Sequence, residues 1–136
     1  MRKIEHIGIA VKDLEVSEKV FESLLGSPSY KREEVVSEGV ITSFFRTGNN
    51  KIELVQSKNP DSPIAKFIER KGEGLHHIAF DVADIQSEMN RLVAAGFRLL
   101  NPEPKKGADN KLICFVHPKD TNGVLIELCQ EIKTED

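Results

Sequence analysis

The chain has 136 residues, 39% hydrophobic and 30% charged, with a formal net charge of −3. That is enough apolar material for one compact core, and the mild acidity offers no basic field to nucleic acid or an anionic membrane. No apolar run approaches the ~20 residues of a bilayer-spanning helix. Met1 to His6 enters a strand pattern without a signal-peptide core, so the expected location is the cytoplasm. Cys114 and Cys129 lack CxxC spacing and are expected as buried free thiols.

In chain order, residues 4–11 alternate Ile4, Ile7, Ile9 and Val11 with smaller or polar residues, the pattern of a strand with one buried face. His6, Gly8 and Ala10 share its other face. Asp13 is placed to cap a helix carrying Val16, Val20, Phe21, Leu24 and Leu25 at helical spacing and ending at Gly26. Residues 35–36, 40–46 and 51–56 read as strands, the last two joined by a turn at Gly48-Asn49-Asn50. Ser62-Pro63 opens a short helix with Ile64, Phe67 and Ile68 as its apolar stripe and Gly72 as its end. A strand at 75–82 leads to a helix capped by Asp84, with Ile85, Met89, Leu92 and Val93 on one face and Gly96 as its stop. Strands near 97–100, 112–117 and 124–130 follow, the last after a Thr121-Asn122-Gly123 turn. Asn101 to Asn110 reads as a surface loop, and the polar tail from Glu131 as frayed.

The plan is written twice. His77-Ile78-Ala79-Phe80-Asp81-Val82-Ala83-Asp84-Ile85 lies without a gap over His6-Ile7-Gly8-Ile9-Ala10-Val11-Lys12-Asp13-Leu14, and Leu125-Ile126-Glu127-Leu128-Cys129-Gln130 over Lys51-Ile52-Glu53-Leu54-Val55-Gln56. Such self-similarity dictates architecture. We expect an α+β fold of two tandem βαβββ modules forming a half-open, cupped mixed β-sheet. The modules span about 1–57 and about 73–131, with a linker helix at about 58–72, in a single domain of residues 1–136.

Each copy brings one His on its first strand and one Glu on its last. Were the two modules paired about a pseudo-twofold axis, His6, Glu53, His77 and Glu127 would meet at one centre. Two neutral imidazoles and two carboxylates suit one divalent ion, Co, Ni, Mn, Zn or Fe, with positions left for water or substrate. His76 points to the opposite face from His77 and is read as structural. His117, at a strand end before Pro118, is read as a loop anchor that can also touch a ligand.

The duplicated plan with His…Glu…His…Glu resembles the vicinal oxygen chelate superfamily, the glyoxalase-like fold, and within it most resembles the methylmalonyl-CoA epimerases. The resemblance is carried by Asp61-Ser62-Pro63-Ile64-Ala65-Lys66-Phe67, Gly74-Leu75-His76-His77-Ile78-Ala79-Phe80, Glu103-Pro104-Lys105 and His117-Pro118-Lys119-Asp120 running to Gly123-Val124-Leu125-Ile126-Glu127-Leu128. It covers essentially the whole chain. It implies that His6, His77 and Glu127 fall on metal-ligand positions and Glu53 where epimerases carry Gln or Glu. Some epimerases carry a glutamate, proposed as a base, where this chain has Thr42. The implied reaction moves a proton on the carbon between thioester and carboxylate, with Glu127 removing it and Glu53, or a group near Thr42, returning it. Lys105, Lys106 and Lys119 are the candidates to steer coenzyme A phosphates. Partners implied are a small acyl-CoA or thiol-conjugate substrate and a second copy of the chain, with neither nucleic acid nor membrane. The alternatives are glyoxalase I (lactoylglutathione lyase), which isomerises the methylglyoxal–glutathione hemithioacetal by the same enediolate logic, and a non-enzymatic small-molecule binding module. Against glyoxalase I, the last turn reads His-Pro-Lys-Asp-Thr-Asn-Gly rather than Asp-Pro-(Asp/Asn)-Gly.

Overall fold

The computed structural model describes residues 1–133, in which the chain forms two compact units, one of residues 6–76 and one of residues 1–5 with 77 onward. In the first unit, β1 (Lys3–Ala10, of which 6–10 belong here) is followed by α1 (Leu14–Leu25), β2 (Lys31–Val35), β3 (Val40–Thr47), β4 (Asn50–Ser57) and α2 (Pro63–Lys71). Its strands lie in the order β2-β3-β4-β1, with β1 parallel to β4 and the other pairs antiparallel. The second unit takes up the chain within β5 (Gly74–Asp81) and continues with α3 (Ile85–Ala94), β6 (Lys105–Lys106), β7 (Lys111–Val116) and β8 (Ile126–Glu131). Its order is β5-β8-β7-β6, with β5 parallel to β8. Each unit is thus a strand, a helix and an antiparallel meander whose last strand returns beside the first. No helix among the described residues is long and apolar enough to cross a membrane.

The helices start where the sequence says. Asp13 Oδ1 accepts from the Val16 N–H at 3.2 Å and Asp84 Oδ1 from the Ser87 N–H at 3.0 Å. Ser62 Oγ accepts from the Ala65 N–H at 3.1 Å with Pro63 in the first turn. A second tie is repeated in both units. The Gln56 side-chain carbonyl accepts the Leu14 N–H at 2.6 Å, and that of Gln130 the Ile85 N–H at 2.7 Å. Each Gln sits three residues after its strand's Glu, so the strand that carries the carboxylate is fastened to the orphan donors of the helix beginning after β1 or β5.

Two-residue periodicity divides the residues of each sheet. In the first unit Val11, Leu14, Phe45 and Leu54 pack with Phe21, Leu25, Ile41 and Ile52 against α1, while Ala10, Val40 and Val55 pack with Ile64, Phe67 and Ile68 of α2. In the second, Val82, Ile85, Met89, Leu92, Cys114, Val116 and Leu128 form the helix-side core. Ala79, Ile113 and Cys129 form a smaller cluster with Phe115. Both cysteines are free and buried, and burial pushes the Cys114 thiol up to about 11.

The structure differs from the sequence expectations at several places, among them Val93, which is exposed although its spacing sets it on the apolar face of α3. The second strand of the second unit lies at Lys105–Lys106, not 97–100, where Leu99 makes only an isolated bridge to Val116. Asn101 explains this. Its amide N–H groups donate to the Glu103 and Ile113 carbonyls and its Oδ1 accepts the Phe115 N–H, so a side chain takes the place of a ladder partner, and Pro102 and Pro104 carry no N–H to extend one. In the first unit the strand expected at 35–36 begins at Lys31. Its run of Lys31, Arg32, Glu33 and Glu34 hides it from a hydrophobicity pattern, as suits an edge strand. On α1, Val16, Val20 and Leu24 are exposed, Leu24 by 71%, although their spacing reads as core. Glu131 closes β8, and the Ile132 N–H is held by the Asn110 carbonyl at 3.0 Å; residues 134–136 of the expected frayed tail lie outside the described residues.

Candidate active site

Each unit holds one buried imidazole–carboxylate pair. In the first, His6 Nε2 lies 3.6 Å from Glu53 Oε1; in the second, His77 Nε2 lies 3.6 Å from Glu127 Oε1. All four residues are 6% exposed. The pairs are built alike. The Glu stands beside the residue two places after the His, Gly8 for Glu53 and Ala79 for Glu127. Across the antiparallel ladder the partner is a phenylalanine, Phe44 for Glu53 and Phe115 for Glu127. Each ring has an ammonium near it, Lys31 Nζ at 5.8 Å from the Phe44 centroid and Lys105 Nζ at 5.7 Å from that of Phe115. The His77 ring meets Phe115 edge-on at 6.3 Å.

Each pair can be tested against a divalent ion on its own. A separation of 3.6 Å exceeds a hydrogen bond. Two ligand atoms at about 2.0–2.2 Å from one cation stand about 3.0–3.5 Å apart, so a small closing of each pair brings both atoms into one coordination shell. Imidazole nitrogen with carboxylate oxygen is a donor set for first-row divalent metals. The residues fit.

The remaining sequence candidates have defined places. Thr42 is buried on the Glu53 face of β3, and its hydroxyl donates to the Glu33 carbonyl at 3.2 Å. Lys105 pairs with Ile113 and Lys106 with Leu112, so the ladder sets Lys106 on the helix side and Lys105 on the side of Glu127. Lys119 is exposed in a short 3-10 turn, and its N–H donates to His117 Nδ1 at 3.1 Å. His117 thereby anchors its own loop, which Asp120 also ties to Arg98; those bonds hold the Asp120 carboxyl down at about 2. His76, read as structural, packs edge-on against Phe67 at 4.9 Å.

Phe44 and Phe115 escape sequence reasoning, as does the work of Gln56 and Gln130. Phe115 follows Phe44 by the interval that separates His77 from His6, a signal lying in the repeat itself.

A profile of the Glyoxalase/Bleomycin resistance protein/Dioxygenase superfamily matches residues 5–115. The chain is 41% identical over 130 residues to an ethylmalonyl-CoA/methylmalonyl-CoA epimerase of Cereibacter sphaeroides, covering 94% of this chain and 97% of that one. It is 38% identical over 129 residues to a mitochondrial methylmalonyl-CoA epimerase of Homo sapiens, covering 94% and 73%. Among solved structures it is similar to a methylmalonyl-CoA epimerase in complex with methylmalonyl-CoA and an ammonium ion. There the TM-score is 0.92 at 32% identity, covering 100% of this chain and 99% of that one.

Proposed function

The chain belongs to the Glyoxalase/Bleomycin resistance protein/Dioxygenase superfamily, and on that premise we propose that it is a metal-dependent epimerase interconverting the two C2 epimers of methylmalonyl-CoA. The observation that carries the reading is the pair of congruent buried His–Glu sites, each 3.6 Å across, in a chain matched over nearly its full length by epimerases. The relatives reported above are named for epimerisation and none for glyoxalase I.

In this reading His6, Glu53, His77 and Glu127 hold one divalent ion. Bound there, it supplies the Lewis acidity that makes the proton on the carbon between thioester and carboxylate removable. The chain's own groups then move the proton. Glu127 takes it from C2 on one face, and the C–H electron pair passes into the thioester carbonyl as an enolate. Glu53, which starts the cycle protonated, delivers its proton to C2 on the other face, so the product is the opposite epimer without redox change; each carboxylate loosens from the ion as substrate arrives in order to act as acid or base. One carboxylate ends protonated and the other bare, and exchange with water or a turnover in reverse resets them. Thr42 is no substitute base, because its hydroxyl already donates to a backbone carbonyl.

Of the three lysines considered for substrate binding, Lys105 is supported by its ammonium beside Phe115, the residue paired with Glu127. Lys106 lies on the other side of its strand, and Lys119 and His117 belong to a self-tied loop. Buried free thiols agree with a reducing cytoplasm, and we keep the homodimer as part of the proposal.

The test is to incubate metal-loaded protein in deuterium oxide with methylmalonyl-CoA and, in parallel, with methylglyoxal plus glutathione. Deuterium at C2 of the first with no lactoylglutathione from the second is expected. Lactoylglutathione alone would replace the epimerase by the glyoxalase.

A further inference from the structure

In the first unit a ladder of rings and cations leads outward from Glu53. Phe44, buried and directly across from Glu53, lies 6.2 Å from the Tyr30 ring, and the Arg46 guanidinium carbon stands 4.3 Å over Tyr30. Exposure rises along the series, from 1% at Phe44 to 38% at Tyr30, with Arg46 exposed. Arg46 pairs with Lys51 in the β3–β4 ladder, and the register puts both on the face of Glu53, two residues farther along each strand.

The second unit has the same backbone and different side chains. The Tyr30 N–H donates to the Phe44 carbonyl at 3.0 Å, and the Leu100 N–H to the Phe115 carbonyl at 2.8 Å, so Leu100 is the counterpart of Tyr30. Continuing the β7–β8 register past Val116↔Ile126 sets His117 opposite Leu125, where the first unit has Arg46 opposite Lys51. What both copies share (His, Glu and Phe, with a lysine near the ring) is the duplicated core of the site. What one copy alone carries points to an asymmetric demand. An acyl-CoA is asymmetric in this way, with a small reacting head at one end and a phosphorylated adenosine at the other.

We propose that Tyr30, Arg46 and Lys51 form the subsite for the phosphates and adenine of the substrate's coenzyme A moiety; the assignment rests on the acyl-CoA reading above. A guanidinium over the Tyr30 ring retains N–H donors for phosphate oxygens, and guanidinium and phenol together offer planar faces to a purine. Lys51 adds a point charge beside it. In the second unit Leu100, His117 and Leu125 stand in the corresponding places, so the tyrosine–guanidinium pair with a lysine beside it belongs to the first unit alone.

The experiment compares methylmalonyl-CoA with methylmalonyl-pantetheine, which has the same reacting head and no nucleotide. In Arg46→Glu and Tyr30→Leu the ratio of kcat/KM for the CoA thioester to that for the pantetheine thioester should fall about tenfold or more, through KM. Both positions are exposed, and circular dichroism checks that the variants fold. Lys66→Glu, an exposed charge reversal on α2, should leave the ratio alone. Titration calorimetry with free coenzyme A provides a readout independent of turnover, with Arg46→Glu weakening its binding by the same factor. If wild-type protein binds coenzyme A in an Arg46-dependent way but epimerises nothing, the subsite stands and the epimerase reading falls. An unchanged ratio together with unchanged coenzyme A binding in Arg46→Glu overturns the subsite and leaves the epimerase reading intact.

Discussion

The two units carry one plan but differ in chemistry at one place between helix and sheet. In the first, Glu18 of α1 reaches the sheet: Ser43 donates to its carboxylate at 2.6 Å, Ser29 lies 2.6 Å from Ser43, and Arg32 bonds to the same carboxylate at 2.9 Å. Counted from the capping aspartates, the place of Glu18 falls to Met89 in α3. Counted from the paired phenylalanines, Cys114 takes the place of Ser43; Tyr30 and Leu100 make the same bond to the phenylalanine carbonyls, so Leu99, one residue before, takes the place of Ser29. One unit therefore adds a hydrogen-bonded charge to the apolar contacts of its helix, where the other has Met89, 1% exposed, in its apolar core. That contrast locates the constrained parts of the architecture. Helix seating tolerates either solution, whereas the His–Glu pairs, the facing phenylalanines and the glutamines that fasten the strands recur unchanged.

The largest expected effects follow from the shared parts. Glu127→Gln and Glu53→Gln should each lower epimerisation by about 10²–10⁴-fold, the usual worth of a positioned acid or base. Each variant should still exchange deuterium into one epimer only, and into opposite epimers in the two cases, as read by NMR. Exchange into both epimers by a single variant would mean that one base serves both faces. Next come the unshared parts. Met89→Ala should cost about 2–5 kcal/mol in urea unfolding by leaving a cavity, and Glu18→Ala less, about 1–3 kcal/mol, through the lost partner of Ser43 and Arg32. Equal losses would erase the contrast. Gln56→Ala and Gln130→Ala should cost about 1 kcal/mol each and similar amounts, as helix-terminus bonds do.

The smallest effect concerns pH. Bonding to Arg32, with help from Ser43, holds the Glu18 carboxyl below its ordinary value against the opposing pull of burial. A carboxylate depressed by folding contributes stability that is complete above its unfolded pKa, about 4.3, and is lost as pH falls through the lower folded value. Unfolding midpoints followed from neutral pH downward should therefore fall less steeply in Glu18→Gln than in the wild type below about pH 4. Parallel curves would remove Glu18 from the account.

Much of this was legible in the sequence because it is local or repeated. Asp13, Ser62 and Asp84 announce helix starts, and His6, Glu53, His77 and Glu127 announce themselves by recurring. The facing of Phe44 to Glu53 and of Phe115 to Glu127 was not legible, because it depends on strand register set across turns of different length. Nor was β6, since Asn101 replaces a ladder bond with a side chain. The exposed face of Val16, Val20 and Leu24 misled for a plain reason: helical spacing reports that a face is apolar, not that anything covers it.

If the two equivalent pairs serve one ion, as proposed, metal stoichiometry reads it out. Elemental analysis with calorimetric titration of a divalent ion should give one ion per chain, and His6→Ala and His77→Ala should each weaken that single binding event by comparable factors. Two ions per chain, with each variant abolishing one and sparing the other, would show two separate sites and contradict the account.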